Sequence, residues 1–436
     1  MKKGLCLLLC AIMILMAGTA FTESAEQPAY TLDRMVVLSR HNIRSPLSAT
    51  GSLLDRLTPH QWFEWTSNTS ELSLRGAMLE TTMGQYFRLW LEKEGLFPEN
   101  YLPEDGAVRF YANGLQRTQA TARYFSAGLL PVAVVPVERK VEYNELDGTF
   151  LPLLQFSSEE YLQDVLKEIS EMSGGNGMNG IRDSVKEGIL TAMAVTDMEK
   201  SEAYQAGEVG NLLEDDNPLT LEPGKEPAVG GPLKTLTSVA DALVLQYYEE
   251  PDNLKAAFGH EITEKDWAAI GSILSERIKG LYMAPSLAPH LAHPILEEIY
   301  REMNTEGRKF SFLCGHDSTV APVLGALGVE EYTLPGAIET VTPIGVKLVF
   351  ERWIDREGKA FWKASLVYQS VDQLRSIEPL SLENPPMICA LSFTGIEANG
   401  DGMIPEEAMM NLFRSAIDKY DELVEKYTEE EMPEAA

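Results

Sequence analysis

Cysteine is nearly missing from this chain: four occur in 436 residues, and two of those, Cys6 and Cys10, fall inside an apolar leader. Cys314 and Cys389 are what remains, too few for a disulfide scaffold and not spaced as a CxxC redox or zinc motif. Long apolar runs are also missing. Beyond the leader no stretch is long and uncharged enough to span a bilayer. Positive charge is scarce, with 36 Lys and Arg against 66 Asp and Glu and a net charge of −30. That balance argues against nucleic acid or an anionic membrane surface as a partner. No phosphate-cradling Walker loop and no nucleophilic serine elbow occurs.

What is present begins with an export signature. Lys2 and Lys3 precede an almost wholly apolar run from Gly4 to Gly18, and Thr19-Ala20 follows. Two lysines, an apolar core too short for a permanent span and small residues at its end predict a secretory signal over 1–20. Cys10 has no convincing lipobox around it, so no lipid anchor is expected. Loss of Lys2 and Lys3 takes the charge from −30 to −32. The mature chain is expected to be periplasmic or secreted, with no membrane partner. At 44% apolar and 23% charged residues it can bury a large core, and its length allows two or three domain-sized units.

Three segments share one design, in which an apolar run ends in a turn rich in cationic or imidazole side chains. Met35-Val36-Val37-Leu38 runs into Ser39-Arg40-His41-Asn42-Ile43-Arg44-Ser45-Pro46. Two planar guanidinium forks thus flank a histidine, an arrangement that can converge on a tetrahedral anion while the imidazole approaches its centre. Pro46 keeps the loop from becoming regular helix. Phe310 to Cys314 runs into Gly315-His316-Asp317, with helical character from Ser318 to Leu327. Val108 to Tyr111 runs into Asn113-Gly114, and Gln116-Arg117-Thr118 opens a helix. Ligands of open α/β sheets bind beyond the carboxyl ends of strands, and helix N-termini favour anions. Arg40, His41, Arg44, Arg117, His316 and Asp317 are therefore the candidate site. Asp317 also suits a plain helix N-cap, a role compatible with catalysis.

These residues resemble the histidine acid phosphatase family, whose signatures are RHGxRxP near the start and HD near the end. Tyr111 to Thr118, Trp62-Phe63-Glu64-Trp65, Gly231-Pro232-Leu233-Lys234, Leu245 to Glu249 and Thr342-Pro343-Ile344-Gly345 are similar to the bacterial periplasmic glucose-1-phosphatase branch. The resemblance runs from about Tyr30 to the C-terminal region and is weakest near 150–225. It implies an α/β fold: a phosphoglycerate-mutase-like mixed central sheet flanked by helices, with an inserted smaller α-helical domain. The expected units are an α/β part at 30–148 and 305–425, an inserted α part at 149–304 and an acidic tail at 426–436. Asn42 stands where the broad family has glycine, and is expected to put an amide near the pocket mouth and narrow substrate choice. Relatives in this branch carry several disulfides that this chain lacks the cysteines to form. Cys314, in a buried strand, is expected to be a packed thiol.

The resemblance implies attack by His41 on phosphorus to give a phosphohistidine that water hydrolyses. Arg40, Arg44, Arg117 and His316 would hold the phosphoryl oxygens, and Asp317 would protonate the leaving group. An acidic optimum follows, because Asp317 must carry a proton while His41 does not. No metal or cofactor is expected, since the guanidinium groups supply the positive charge. The partner is a small phosphate monoester: glucose 1-phosphate and related sugar phosphates, or alternatively phytate. An inactive sugar-phosphate binding protein is the alternative of another class, and a mutase of the same fold a further one. Glu226, on a turn near the end of the insertion, resembles a branch residue facing the sugar; a solvated loop glutamate is the alternative. Oligomeric state is not legible. Other motifs carry nothing: Gly175 to Gly180 fits GxGxxG but follows a helical stretch and is expected to be a loop. Glu397 to Ile404 resembles a calcium loop, but Ala408 stands where the closing glutamate belongs. His290 and His293 lack a third ligand nearby.

Overall fold

The computed structural model describes residues 29–48 and 51–428. The expected signal at 1–20 lies outside the described residues, as does the acidic tail from 429 onward. The strands are β1 (Tyr30–Arg40), β2 (Val108–Ala112), β3 (Val137–Glu138), β4 (Leu219–Thr220), β5 (Ala228–Val229), β6 (Phe310–Gly315), β7 (Lys347–Asp355), β8 (Ala360–Tyr368), β9 (Met387–Ala390) and β10 (Ile404–Pro405). The longer helices are α1 (Leu74–Lys93), α2 (Gln116–Leu129), α3 (Glu159–Ser173), α4 (Gly177–Ser184), α5 (Lys186–Val195), α6 (Gly231–Glu249), α7 (Glu264–Tyr282), α8 (Leu287–Asn304), α9 (Asp317–Ala326) and α10 (Glu406–Thr428).

An eight-stranded mixed sheet in the order β10-β8-β7-β1-β6-β2-β3, with β9 added beside β8, forms the centre. β1, β6, β2 and β3 run parallel, while β7 and β8 are antiparallel to their neighbours. Both faces are covered, which is why the strand runs are continuously apolar rather than alternating. Along β1, Val36 and Leu38 enter a core shared with α8, α9 and α10. Met35 and Val37 point the other way, into a core with α1 and α2. The α/β architecture with a mixed, helix-flanked sheet is the one anticipated.

Between β3 and α8 the regular elements are helices, joined by loops, apart from the two-residue strands of the β4–β5 ribbon. Helices α5, α6 and α7 share a core reaching Ile43 and Ile344, one in each of two loops at the strand ends. Helix α8 packs instead against α9, α10 and the sheet, so the helical layer over the sheet begins well before residue 305. The Gly175–Gly180 stretch is not a loop throughout: α3 ends on Gly174, whose φ of 81° suits a glycine, and α4 begins at Gly177. His290 is buried between Phe156 and Tyr161 and hydrogen-bonds the Tyr161 hydroxyl at 3.0 Å. Cys314 and Cys389 are both free thiols, Cys314 buried.

A buried ion pair lies under the central strands. Lys347 Nζ donates to Glu80 Oε1 at 2.8 Å and to the Gly345 carbonyl at 2.7 Å, with both side chains fully buried. Burial alone pushes the Glu80 carboxyl up; Lys347 and the Asn42 amide pull it partly back. Removing one partner leaves a lone charge in the core, which typically costs about 3–5 kcal/mol. Lys347→Met should therefore lower unfolding stability in urea by about that much. Glu80→Gln combined with Lys347→Met should recover most of it, and a double variant no better than the single one would mean the pair is not what the core depends on.

Candidate active site

Strand register assembles the site. In the parallel β1–β6 pair Arg40 lies opposite Gly315, so the next residues, His41 and His316, leave the sheet side by side. On the other side of β6, Ala112 lies opposite Cys314, which brings Asn113 alongside. The backbone continues the ladder past the strand ends, with His41 N–H on the Gly315 carbonyl at 3.1 Å and Asn113 N–H on the Cys314 carbonyl at 3.0 Å. The loop after His41 is tied down by Ser73 N–H on the Ile43 carbonyl and Ser45 N–H on the Glu71 carbonyl. Arg40, His41, Arg44, Arg117, His316, Asp317 and Glu226 all line one cavity of about 350 Å³.

Hydrogen bonding assigns the imidazole protons. His41 Nδ1 lies 2.9 Å from the Asn42 carbonyl, which can only accept, so Nδ1 carries the proton and Nε2 keeps its lone pair. Burial, then Arg117 and the other cations, push the His41 pKa well below its ordinary value. At His316 the deciding partner is Asn113. Its Oδ1 accepts the Asp147 N–H at 3.0 Å, which turns its amide nitrogen toward His316 Nε2 at 2.8 Å. Nε2 is thus the acceptor and the His316 proton sits on Nδ1. Burial and Arg117 lower this imidazole too, although Asp317 opposes them. The two rings lie 5.5 Å apart, edge to face.

The arginines are held differently. Arg40 is buried, with Nη1 on Glu339 Oε1 at 2.5 Å and on the Thr342 carbonyl, and Nη2 3.2 Å from Asp317. Burial would lower its pKa, but Glu339 and Asp317 outweigh that and raise it. Arg44 makes a two-pronged pair with Asp241, both contacts at 3.0 Å. Arg117, in the first turn of α2, has no carboxylate in ion-pair range among the described residues. Burial and then Arg44 bring its pKa down to about 10, so it stays charged but uncompensated. The Nε atoms of all three are buried donors without a protein acceptor. A guanidinium set with spare donors and one uncompensated charge suits a tetrahedral oxyanion.

Asp317 opens α9 and accepts the Ser318 N–H at 2.8 Å. Its side chain is 34% exposed to the cavity, though enclosed on the scale over which a charge acts. Burial would raise its pKa; Arg40, the Ser318 N–H and Arg44 together hold it below the usual carboxylate value. Glu226, just before β5, has its carboxyl raised by burial and by Asp317, with the Tyr282 hydroxyl 3.5 Å away. Lys234, Asp241, Arg277 and Tyr282, from α6 and α7, complete the wall.

Asn42 is a correction. Its amide does not face the cavity: Nδ2 donates to Glu80 Oε1 at 2.7 Å and Oδ1 accepts the Ile43 N–H at 2.8 Å, within the buried Glu80–Lys347 network. Gly345, at φ 69°, packs on that amide; a Cβ there would lie 2.5 Å from Asn42 Nδ2. The position shapes the loop rather than the substrate. Sequence reasoning took Asn113 as a turn residue and passed over Asp241, Arg277 and Glu339. Asn113 and Lys234 at least sit in quoted motifs, whereas Asp241, Arg277 and Glu339 carry no local signal.

The pattern of the histidine phosphatase superfamily (branch 2) matches residues 31–153 and 246–367. A glucose-1-phosphatase of Providencia rettgeri is 33% identical over 96% of this chain and 99% of its own length. One from Salmonella typhimurium is 31% identical over 95% and 100%. Among solved structures, the phytase of Citrobacter braakii superposes with a TM-score of 0.80 at 27% identity, covering 89% of this chain and 98% of that one.

The depressed imidazoles have a measurable consequence. An unfolded histidine takes up its proton near pH 6.5, while His41 and His316 in the fold do not. Their contribution to stability is thus present above about pH 6.5 and is lost progressively as pH falls below it. Nitrogen-15 NMR of the imidazoles should show His41 and His316 neutral, with the proton on Nδ1, at pH about 5.5. A His41 imidazolium signal at that pH would contradict the arrangement.

Proposed function

This chain belongs to the histidine phosphatase superfamily (branch 2), and from that premise we propose that it acts on glucose 1-phosphate and related sugar phosphates, with His41 as nucleophile. It is a histidine acid phosphatase and hydrolyses phosphate monoesters. The observation that carries the assignment of roles is the unprotonated Nε2 of His41 among cations that hold it neutral. Its lone pair attacks phosphorus, the P–O bond to the sugar breaks, and Asp317 gives its proton to the departing oxygen. Water then attacks the phosphohistidine, Asp317 takes a proton back, and the P–N bond breaks to free His41 and inorganic phosphate. Arg40, Arg44, Arg117 and the Nδ1–H of His316 hold the phosphoryl oxygens as charge develops. Arg40 keeps Asp317 ionised until a phosphate reaches the same guanidinium; that new negative charge offsets the arginine and lets Asp317 hold a proton. Acid pH favours the same state.

Glu226 supports a sugar as leaving group, since a carboxylate in the wall can accept hydroxyl hydrogen bonds. Lys234 and Arg277 in the same wall support the second reading, phytate, because they could take further phosphate groups. The apolar leader with Lys2 and Lys3 supports export to the periplasm or beyond.

Phosphate release at acid pH from glucose 1-phosphate and phytate, assayed in parallel, ranks the two readings. Wild type should favour glucose 1-phosphate and His41→Ala should release none; folded wild type inactive on both would leave only a binding role. Asp317→Asn should slow glucose 1-phosphate turnover about 10²–10⁴-fold. It should slow 4-nitrophenyl phosphate far less, because nitrophenolate leaves without a proton. Equal losses on the two substrates would place the Asp317 contribution in the shared hydrolysis of the phosphohistidine, not in protonation of the leaving group.

A further inference from the structure

Away from the phosphatase cavity, three side chains distant in sequence meet at one point. His60 lies just after the short Leu53–Arg56 helix, Asp197 follows α5, and His260 precedes α7. His60 Nε2 is 2.7 Å and His260 Nε2 is 3.3 Å from the same oxygen, Asp197 Oδ2, and the three atoms all lie within 4.8 Å of one another. None of the three lines the catalytic cavity. His60 opens instead onto a neighbouring cleft of about 530 Å³ lined by Asp55, Trp62 and Glu64.

The surroundings fix the donors in place. Phe258 stacks on the His60 ring at 5.0 Å with 10° between planes. The other Asp197 oxygen, Oδ1, accepts Lys200 Nζ at 2.8 Å, which orients the carboxylate and leaves Oδ2 to the histidines. Asp197 itself sits at φ 48°, a left-handed backbone uncommon outside glycine. Two imidazole nitrogens and one carboxylate oxygen are a donor set of borderline divalent ions. Ligands about 2.0–2.1 Å from a tetrahedral zinc stand about 3.3 Å from one another. The His260–Asp197 separation already has that value, and the His60–Asp197 contact needs to open by only about half an ångström. The histidines are half-buried at 29% and 38% exposure, so an ion has an entry path and water can complete its shell.

We propose that His60, Asp197 and His260 bind one divalent transition-metal ion, zinc by ligand chemistry, which ties three segments of the fold together beside the active site. The tie acts on the loop that carries Trp62 and Trp65. The cleft of this loop shares Pro46 and Ser48 with the catalytic cavity. The ion takes no part in phosphoryl transfer, and its effect is to brace the loop. Anything that binds only the folded chain raises its melting temperature as its concentration rises above Kd.

The test is zinc titration by calorimetry on the chelator-treated chain at pH about 7.5, because a metal displaces the proton of an imidazole ligand and mildly alkaline solution favours that exchange. Thermal melting is followed with and without zinc. The variants are His260→Gln, which can still donate to Asp197 but offers no imidazole, His60→Ala, and His41→Ala as a control for binding in the phosphatase cavity. Wild type and His41→Ala should take up one tight equivalent and melt at higher temperature with zinc. His260→Gln and His60→Ala should bind at least about 100-fold more weakly and gain nothing in melting temperature. Binding kept in His260→Gln but lost in His41→Ala would place the ion in the catalytic cavity and overturn the proposal. So would wild type that binds no zinc at about 100 μM, or a melting difference between wild type and variants that zinc leaves unchanged, the behaviour of an ion-pair latch alone.

Discussion

The structure is organised around one electrostatic constraint: an imidazole has to remain neutral in a buried cavity beside three guanidinium groups. A pair of like charges about 4 Å apart costs about 4 kcal/mol at an effective dielectric near 20, so protonation of His41 is strongly opposed as long as the arginines keep their charge. A guanidinium group does not give up its proton in a protein, and carboxylates compensate two of the three. Glu339 and Asp317 hold Arg40, and Asp241 holds Arg44. Arg117 is left without such a partner and has its pKa pulled down instead, so the net positive charge of the cavity is concentrated where a phosphoryl group would complete it. This local well exists inside a chain of net charge −30. Salt should therefore assist capture of highly charged phosphates by screening the repulsive outer field.

Backbone register turns that constraint into geometry. β1 and β6 are parallel neighbours in the centre of the sheet, and their pairing at Arg40 and Gly315 brings the two histidines out together. Beneath them the Glu80–Lys347 pair uses the Asn42 amide and the Gly345 carbonyl, so the loops that follow β1 and precede β7 are fastened to each other. The segment between β3 and α8 then supplies the facing wall, from which Glu226 before β5, Asp241 of α6 and Arg277 of α7 line the cavity.

Much of this was legible in the amino-acid sequence, for a physical reason. Strands buried on both faces read as continuous apolar runs, and the residues at their ends are close in sequence to those runs; that is how Arg40, His41, Arg44, His316 and Asp317 could be found. Arg117 was found the same way, through the turn after β2. What stayed hidden was long-range. Asp241, Arg277 and Glu339 are single charged residues in helices or loops, and nothing local distinguishes a carboxylate that will meet Arg44 from one that faces water. Asn42 misled because its position in the motif suggested the cavity, while its direction is set by Glu80 and Gly345, far away in sequence. The His60–Asp197–His260 cluster was invisible for the same reason, its members being separated by 137 and 63 positions.

The central claim is that phosphate passes through a covalent bond to His41. The most direct measurement is rapid mixing with phosphorus-32-labelled glucose 1-phosphate, quenching in alkali where phosphohistidine survives, and peptide mapping of the labelled chain. The account predicts label on the peptide containing His41, present in Asp317→Asn and absent from His41→Ala. Active enzyme that turns over the substrate with no label on the chain, or label on another residue, would contradict it.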